Sequence, residues 1–328
     1  MKHFPSRLSV VLRVAVSVGL VAFMLSYLDV DNMLRFVRRA DPFLVVLTLV
    51  AVFVDRLFMV LRWTKLIEAL DIHVPWIRVV KIFFLSSFFG SFLPSGVGGE
   101  AVRAASFARL TSKGVESVAS VVMDRLLGLL SMLLTGLLSL TVFYRVFPHP
   151  ALLGIVVIGS IALLGSLSLL LSRRLHKFLE RDGDGWMARA VRAMARYRDR
   201  LGTLGVVFLL SVGVQLLRVL HALLLSEAMD LGTPPIYFLC FIPPILIVTM
   251  LPISVGGWGT TNAAYVALFS QVGMDPDGAF VLSVLILALG VIGNLPGGVI
   301  YAWEGFQSTR HTLPSDEDEE NGEHPESA

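Results

Sequence analysis

The chain has 328 residues, 55% of them apolar and 16% charged, with a mean hydropathy of +0.76. Soluble domains carry about 25% charged residues, so the composition excludes a soluble globular protein and a disordered one. The net charge of +2 hides an asymmetry: residues 311–328 hold seven acids and no Lys or Arg, and the rest of the chain sets 27 bases against 18 acids.

The apolar residues gather in runs of about 20, the helical length that crosses ~30 Å of hydrocarbon. This predicts an all-α polytopic membrane protein; a lipid-facing β-barrel would show short alternating segments instead. Lys2 and Arg7 precede the first run. That run is longer than a signal-peptide core and no small-residue cleavage site follows it, so it is expected to be retained. About six full spans are predicted, at 8–28, 43–63, 116–144, 151–171, 202–226 and 279–303. Two other apolar segments, 77–93 and 236–251, behave differently. Each runs into a Leu-Pro, Leu93-Pro94 or Leu251-Pro252, then a glycine-rich turn and a weakly polar helical stretch. The apolar part 82–93 is about 18 Å long as a helix, too short to cross. Both segments are therefore expected to be re-entrant helical hairpins.

Charge sets the sidedness. Residues 172–200 carry nine Lys or Arg against four acids, so this basic loop is expected in the cytoplasm. With 77–110 counted as a hairpin, Lys65, Arg103, Arg109, Lys113 and the N-terminus also fall inside, in the cell (inner) membrane. Counting on, 227–235 falls outside without a base, and the C-terminus falls inside. Within the loop, Trp186, Met187, Val191, Met194, Tyr197 and Leu201 recur at helical spacing, which suits a helix lying on an anionic leaflet. The acidic tail, 311–328, is expected to be disordered. The single cysteine, Cys240, excludes an intrachain disulfide.

The two halves look like copies of one another. Leu93-Pro94-Ser95-Gly96-Val97-Gly98-Gly99 aligns without a gap on Leu251-Pro252-Ile253-Ser254-Val255-Gly256-Gly257, 158 residues later. Glu68-Ala69-Leu70-Asp71 aligns on Glu227-Ala228-Met229-Asp230, with Pro75 on Pro234, at an offset of 159. Repeat A would run over about 8–145 and repeat B over about 151–305, inside one transmembrane domain, 1–310. The charge pattern makes the repeat inverted, the usual build of alternating-access transporters.

Phe92-Leu93-Pro94 with Gly98-Gly99-Glu100 and Arg103, then Asp124-Arg125, then Leu251-Pro252 through Gly256-Gly257-Trp258-Gly259, give the chain a family resemblance. It resembles the lysylphosphatidylglycerol synthase transmembrane region, the flippase-like or UPF0104 family, over about 8–305. That resemblance implies lipid translocation without the soluble aminoacyl-transferase domain of the family's enzymes. Relatives usually follow the second glycine turn with an Arg-Glu pair, where this chain has Thr261-Asn262.

Several residues are candidates for substrate binding. Gly98 and Gly99 let a ligand approach the backbone, and the helix restarting there presents free N–H groups to an anion. Glu100 lies in its first turn. Arg103, one turn on, could hold a phosphate bidentately. The competing reading makes Glu100 a cap and turns Arg103 to cytoplasmic water. Gly256, Gly257, Thr261 and Asn262 form an uncharged counterpart that either touches a headgroup or packs helices closely. Asp124 and Arg125 are neighbours pointing different ways, so each needs its own partner. An intramembrane charge costs at least ~2.5–3.5 kcal/mol, so it seldom sits idle. Asp55-Arg56 and Arg62 invite the same reading, although Arg62 could snorkel to headgroups. Ser211, Gln215, Arg218 and His221 share one helix face, with Arg218 a candidate phosphate contact and His221 read first as a core histidine. Asn294 and Pro296 mark a break in the last span, with packing as the default role. No metal site, cofactor or hydrolase motif is found, so an enzyme is not expected.

Two functions fit these expectations ahead of a third, an intramembrane transferase or hydrolase of lipid headgroups, for which only Glu100, Asp124 and His221 are available. The first is a flippase-like translocator of a lipid with an anionic or phosphate headgroup, working between the hairpins. The second is a lipid-binding accessory subunit of a membrane enzyme of envelope synthesis. The expected partners are membrane lipids, with a homodimer left open and no nucleic acid.

Overall fold

The computed structural model describes residues 29–92, 98–142, 185–249 and 257–310, together with Ser254 and scattered positions between 157 and 168. The expected span 8–28, most of 151–171, the loop residues 172–184, the tail 311–328 and the turn residues Pro94, Pro252 and Gly256 lie outside these. The described residues are all-helical. In chain order they form α1 (Val30–Arg39), α2 (Pro42–Glu68), α3 (Trp76–Phe92), α4 (Gly98–Thr111), α5 (Gly114–Val142), α6 (Trp186–Ala195), α7 (Leu201–Ala228), α8 (Pro235–Thr249), α9 (Thr260–Phe269), α10 (Pro276–Ile292) and α11 (Leu295–Arg310). Among the described residues, four stretches are long and apolar enough to cross a membrane: Pro42–Glu68, Gly114–Ser139, Arg192–Ala228 and Pro276–Trp303. The last is interrupted at Gly293-Asn294, between α10 and α11, where the sequence placed a break.

The helices are inside out relative to soluble ones. On α2, Phe43, Val46, Leu47, Val50, Phe53, Val54 and Leu57 are exposed at helical spacing, while Thr48, Asp55 and Arg62 are buried on the opposite face. On α7, Leu209, Leu216 and Leu220 are exposed and Ser211, Gln215 and His221 are buried. A contiguous apolar outer face is tolerated when the solvent is lipid, and buried polar groups are what an intramembrane site requires.

The ends of α2 and α7 are built alike. Asp71 N–H donates to the Glu68 carbonyl and Ile72 N–H to the Ile67 carbonyl; Asp230 donates to Glu227 and Leu231 to Ser226 in the same way. Asp71 (φ 56°) and Asp230 (φ 52°) both occupy the left-handed position of this helix stop. A proline then starts the next helix after each turn, Pro75 before α3 and Pro234 before α8.

Two antiparallel helix pairs follow these turns. In the first, Arg103 bonds to Ser86 and Gly99 packs on Gly90, so residue numbers fall on α3 as they rise on α4. In the second, Thr249 meets Thr261 and Phe241 meets Phe269, the same pattern for α8 and α9. At 1.5 Å per residue, the 17 residues of α3 and the 15 of α8 span about 25 and 22 Å, short of the ~30 Å core. Gly99 is obligatory here: a Cβ would stand 2.7 Å from the Ser86 carbonyl oxygen and 2.9 Å from Gly90 Cα. The second pair contains Pro243 and Pro244, whose missing N–H groups would orphan the carbonyls of Leu239 and Cys240. Ser139 Oγ on α5 lies 2.9 and 2.8 Å from those two oxygens and serves both.

The core is in two parts. One gathers Trp63, Phe83, Phe107, Met123 and Tyr197 from α2–α7; the other gathers Leu225, Phe238, Phe241, Phe269 and Phe280 around α7–α10. At one end of the molecule Tyr197 donates to the Leu66 carbonyl and Arg200 pairs with Asp71. At the other end, Asp41 N–H bonds the Ala228 carbonyl, and Asn32 on α1 bonds Asp277 on α10. The α3–α4 pair starts and returns at the first end, and α8–α9 at the second.

Candidate functional site

Asp55, Arg62, Arg103 and Asp124 are buried where the two parts meet, on α2, α4 and α5, with Arg218 of α7 beside them. Asp124 of α5 accepts from two arginines. Arg62 clamps it with Nε at 2.6 Å and Nη2 at 3.0 Å, and Arg103 reaches it with Nη1 at 3.4 Å. Arg62 also donates to Ser211 on α7, and Arg103 to Ser86 on α3, both at 3.2 Å. The Arg103 guanidinium lies over the rings of Phe83 (4.5 Å) and Trp63 (5.3 Å), which compensates part of its desolvation. Gly128 makes the room: a Cβ there would press on the Arg62 Nη1 at 3.2 Å. Arg62 therefore does not reach for headgroups; it is buried and fully engaged.

Arg125, about 100° round the helix from Asp124, pairs instead with Glu100 at 2.8 Å. Asp55 on α2, 1% exposed, pairs with Arg56 at 2.7 Å and stands 3.8 Å from Arg218 Nε. Arg56 is tied further by Asn294 Oδ1 (2.8 Å) and the Gly290 carbonyl (3.3 Å), and Asn294 donates onward to Ser91 (2.8 Å). The break at Asn294 thus does more than pack: it joins α2 and α3 to the α10–α11 corner.

Three cavities share these residues. The largest, about 390 Å³, is lined by Asp55, Arg56, Arg125, Arg218 and His221 on one side and by Thr249, Ser254, Gly257 and Tyr265 on the other. A small one of about 70 Å³ joins Arg62, Glu100, Arg103, Asp124, Arg125 and Arg218. A third, about 330 Å³, is bounded by Arg56, Gly99, Glu100, Arg103, Trp258 and Asn294. Among the described residues, the charged lining of the three consists of five arginines (56, 62, 103, 125 and 218) and three carboxylates (55, 100 and 124), a surplus of two positive charges. Arg218 is the least engaged of the five, and Arg125 keeps its side chain 36% exposed.

The expected site residues separate into two groups. Glu100, Arg103, Asp124, Arg125, Arg218, Gly99 and Gly257 line the cavities, and Gly98 opens the α4 helix beside them. Thr261 and Asn262 are buried in the packing of α9: Asn262 accepts from Gly259 N–H (2.8 Å) and donates to Ser283 Oγ on α10 (2.6 Å). The linking role of Asn294 escaped sequence reasoning, as did the Ser139 contact, for which the Pro243-Pro244 dipeptide was the available signal.

The fold and its buried charges define a polytopic helical membrane protein with an internal cationic site. The sequence matches the family model described as lysylphosphatidylglycerol synthase TM region over residues 10–297, and the chain belongs to that family. It is similar to a UPF0104 membrane protein of Methanothermobacter thermautotrophicus, 22% identical over 329 residues, covering 91% of this chain and 93% of that protein. It is also similar to a UPF0104 membrane protein of Pyrococcus horikoshii, 27% identical over 142 residues, 41% of this chain and 42% of that protein.

Proposed function

We propose that the chain is a translocator, not an enzyme, for a lipid or lipid-linked molecule with an anionic, phosphate-bearing headgroup. The observation that carries this reading is the surplus of two positive charges around adjoining internal cavities. Uncompensated charge in a membrane interior is too costly to be incidental, and an anion entering the site neutralises it. Arg218 and Arg125 are the receiving residues, since both line the 390 Å³ and 70 Å³ cavities, Arg218 stands 3.8 Å from its carboxylate and Arg125 keeps its side chain 36% exposed. Arg62 and Arg103, already spent on Asp124, hold the framework.

The helix pairs α3–α4 and α8–α9 act as re-entrant hairpins of an inverted repeat, entering from opposite faces. Their short lengths, their return to opposite ends of the molecule and the matched turns at Asp71 and Asp230 support this. Lys65, Arg109, Lys113 and Arg189–Arg200 gather at the end where α3–α4 begins and returns, which by charge is cytoplasmic. Alternating access then follows from rearranging the two parts about the charged seam.

The test is native mass spectrometry of detergent-purified protein, followed by leaflet exchange of labelled phosphatidylglycerol in proteoliposomes. Wild type is expected to retain a phosphate-bearing lipid and to exchange the probe, and Arg218→Gln to lose both. Retention without exchange would favour the accessory-subunit reading. Retention indifferent to Arg218→Gln and Arg125→Gln would remove the site.

A further inference from the structure

The 390 Å³ cavity holds two groups that phosphate binding does not use. Asp55 Oδ1 and His221 Nε2 are both buried without a hydrogen-bond partner among the described residues, and both residues line this cavity. Asp55 is 1% exposed and His221 8%. They are near one another: Arg218, which stands 3.8 Å from Asp55 Oδ1, lies one helical turn before His221 on α7. A buried polar atom left unpaired keeps its full desolvation cost, and two in one cavity point to something that enters and satisfies them.

The charged and titratable groups facing this pair are few. α2 contributes Arg56, α5 contributes Arg125, α7 contributes Arg218, and α9 contributes the Tyr265 hydroxyl; α8 and α10 contribute none to the described lining. Among the described residues Arg218 is the cation paired with Asp55 Oδ1, at 3.8 Å. A headgroup phosphate that recruits Arg218 draws this counter-charge away from Asp55 and sets a second anion beside it. The Asp55 carboxylate offers only acceptors to that anion, and a neutral His221 offers one ring N–H at most and no charge. One added proton supplies a further donor and restores the charge balance.

Resting on the phosphate-site reading above, the geometry points to Asp55 and His221 as a proton-binding pair that is loaded together with the anionic headgroup, so that translocation is proton-linked. The proton comes from bulk water at the open face and forms an N–H bond at His221 Nε2 or an O–H bond at Asp55 Oδ1, which breaks again on release; no bond of the lipid changes. Linkage requires the converse as well: protonation of the pair strengthens headgroup binding. Imidazole is the side chain suited to such exchange near neutral pH.

The experiment is calorimetric titration of the full chain in detergent with dihexanoyl-phosphatidylglycerol at neutral pH, in buffers of different ionisation enthalpy. The probe is a phosphodiester with no proton of its own to exchange there, so proton uptake belongs to the protein. Wild type is expected to take up about one proton per lipid bound, and affinity is expected to fall as pH rises. His221→Gln and Asp55→Asn are each expected to reduce the uptake sharply, and residual binding of the probe shows that the variant is folded. Binding without proton uptake in wild type overturns the proposal, as does uptake that both substitutions leave unchanged. Absence of probe binding by wild type strikes the phosphate site itself, and the proton pair falls with it, a distinct outcome.

Discussion

The junctions of α4 with α5 and of α9 with α10 each join an antiparallel helix pair to the next helix and are held by different chemistry. In the first, Asp124 gathers Arg62 and Arg103 in a buried ionic lock. In the second, Asn262 caps its own helix and bonds Ser283 with no charge involved. At the 158-residue offset, Thr261 stands where Arg103 stands and Ser283 where Arg125 stands. The second junction therefore closes without charges. The charged residues line one side of the cavity, and Thr249, Gly257 and Tyr265 give it an uncharged wall on the other.

The strongest way to break this comparison is Asp124→Ala. It strands two buried guanidinium groups, and losing one partner of a buried pair costs about 3–5 kcal/mol; thermal unfolding in detergent should show the largest loss of any variant here. Replacing the whole lock, as Asp124→Leu with Arg62→Met and Arg103→Met, is expected to recover much of that stability, because no unpaired charge remains. Gly99→Val comes next. Its side chain would strike the α3 backbone at Ser86 and Gly90, and overpacking of this kind costs about 1–3 kcal/mol, read as a lower Tm and poorer recovery of folded protein.

In the uncharged half the effects are smaller. Asn262→Ala removes the cap and the Ser283 bond together, for about 1–3 kcal/mol by the same unfolding measurement. Ser139→Ala leaves the two carbonyls opened by Pro243 and Pro244 without their donor. It is expected to cost about 1–2 kcal/mol and to speed amide hydrogen exchange in α8. If Asn262→Ala proved as damaging as Asp124→Ala, the contrast between an ionic and a neutral junction would not hold.

Much of this architecture was legible in the residues. Apolar run lengths marked the long helices, because lipid and helix geometry together set a minimum of about 20 residues. Leu-Pro with glycines marked the ends of α3 and α8, since proline lacks an N–H and only glycine tolerates the approach seen between Gly99 and Gly90. The separation of Asp124 from Arg125 was also legible, because adjacent residues on a helix point about 100° apart.

The choice of partners was not. Nothing in the spacing says that Arg62 and Arg103 converge on one carboxylate while Arg125 turns to Glu100, or that Asp55 is shared unequally between Arg56 and Arg218. Helical periodicity determines which face a charge occupies; which other face it meets depends on how four helices, separated by up to 163 residues between Asp55 and Arg218, cross and pack. Thus the sequence by itself determined a membrane-embedded helical protein with charged residues turned inward. Only the tertiary structure decided that those charges form one lock, one cavity with a positive surplus, and a carboxylate and an imidazole left waiting inside it.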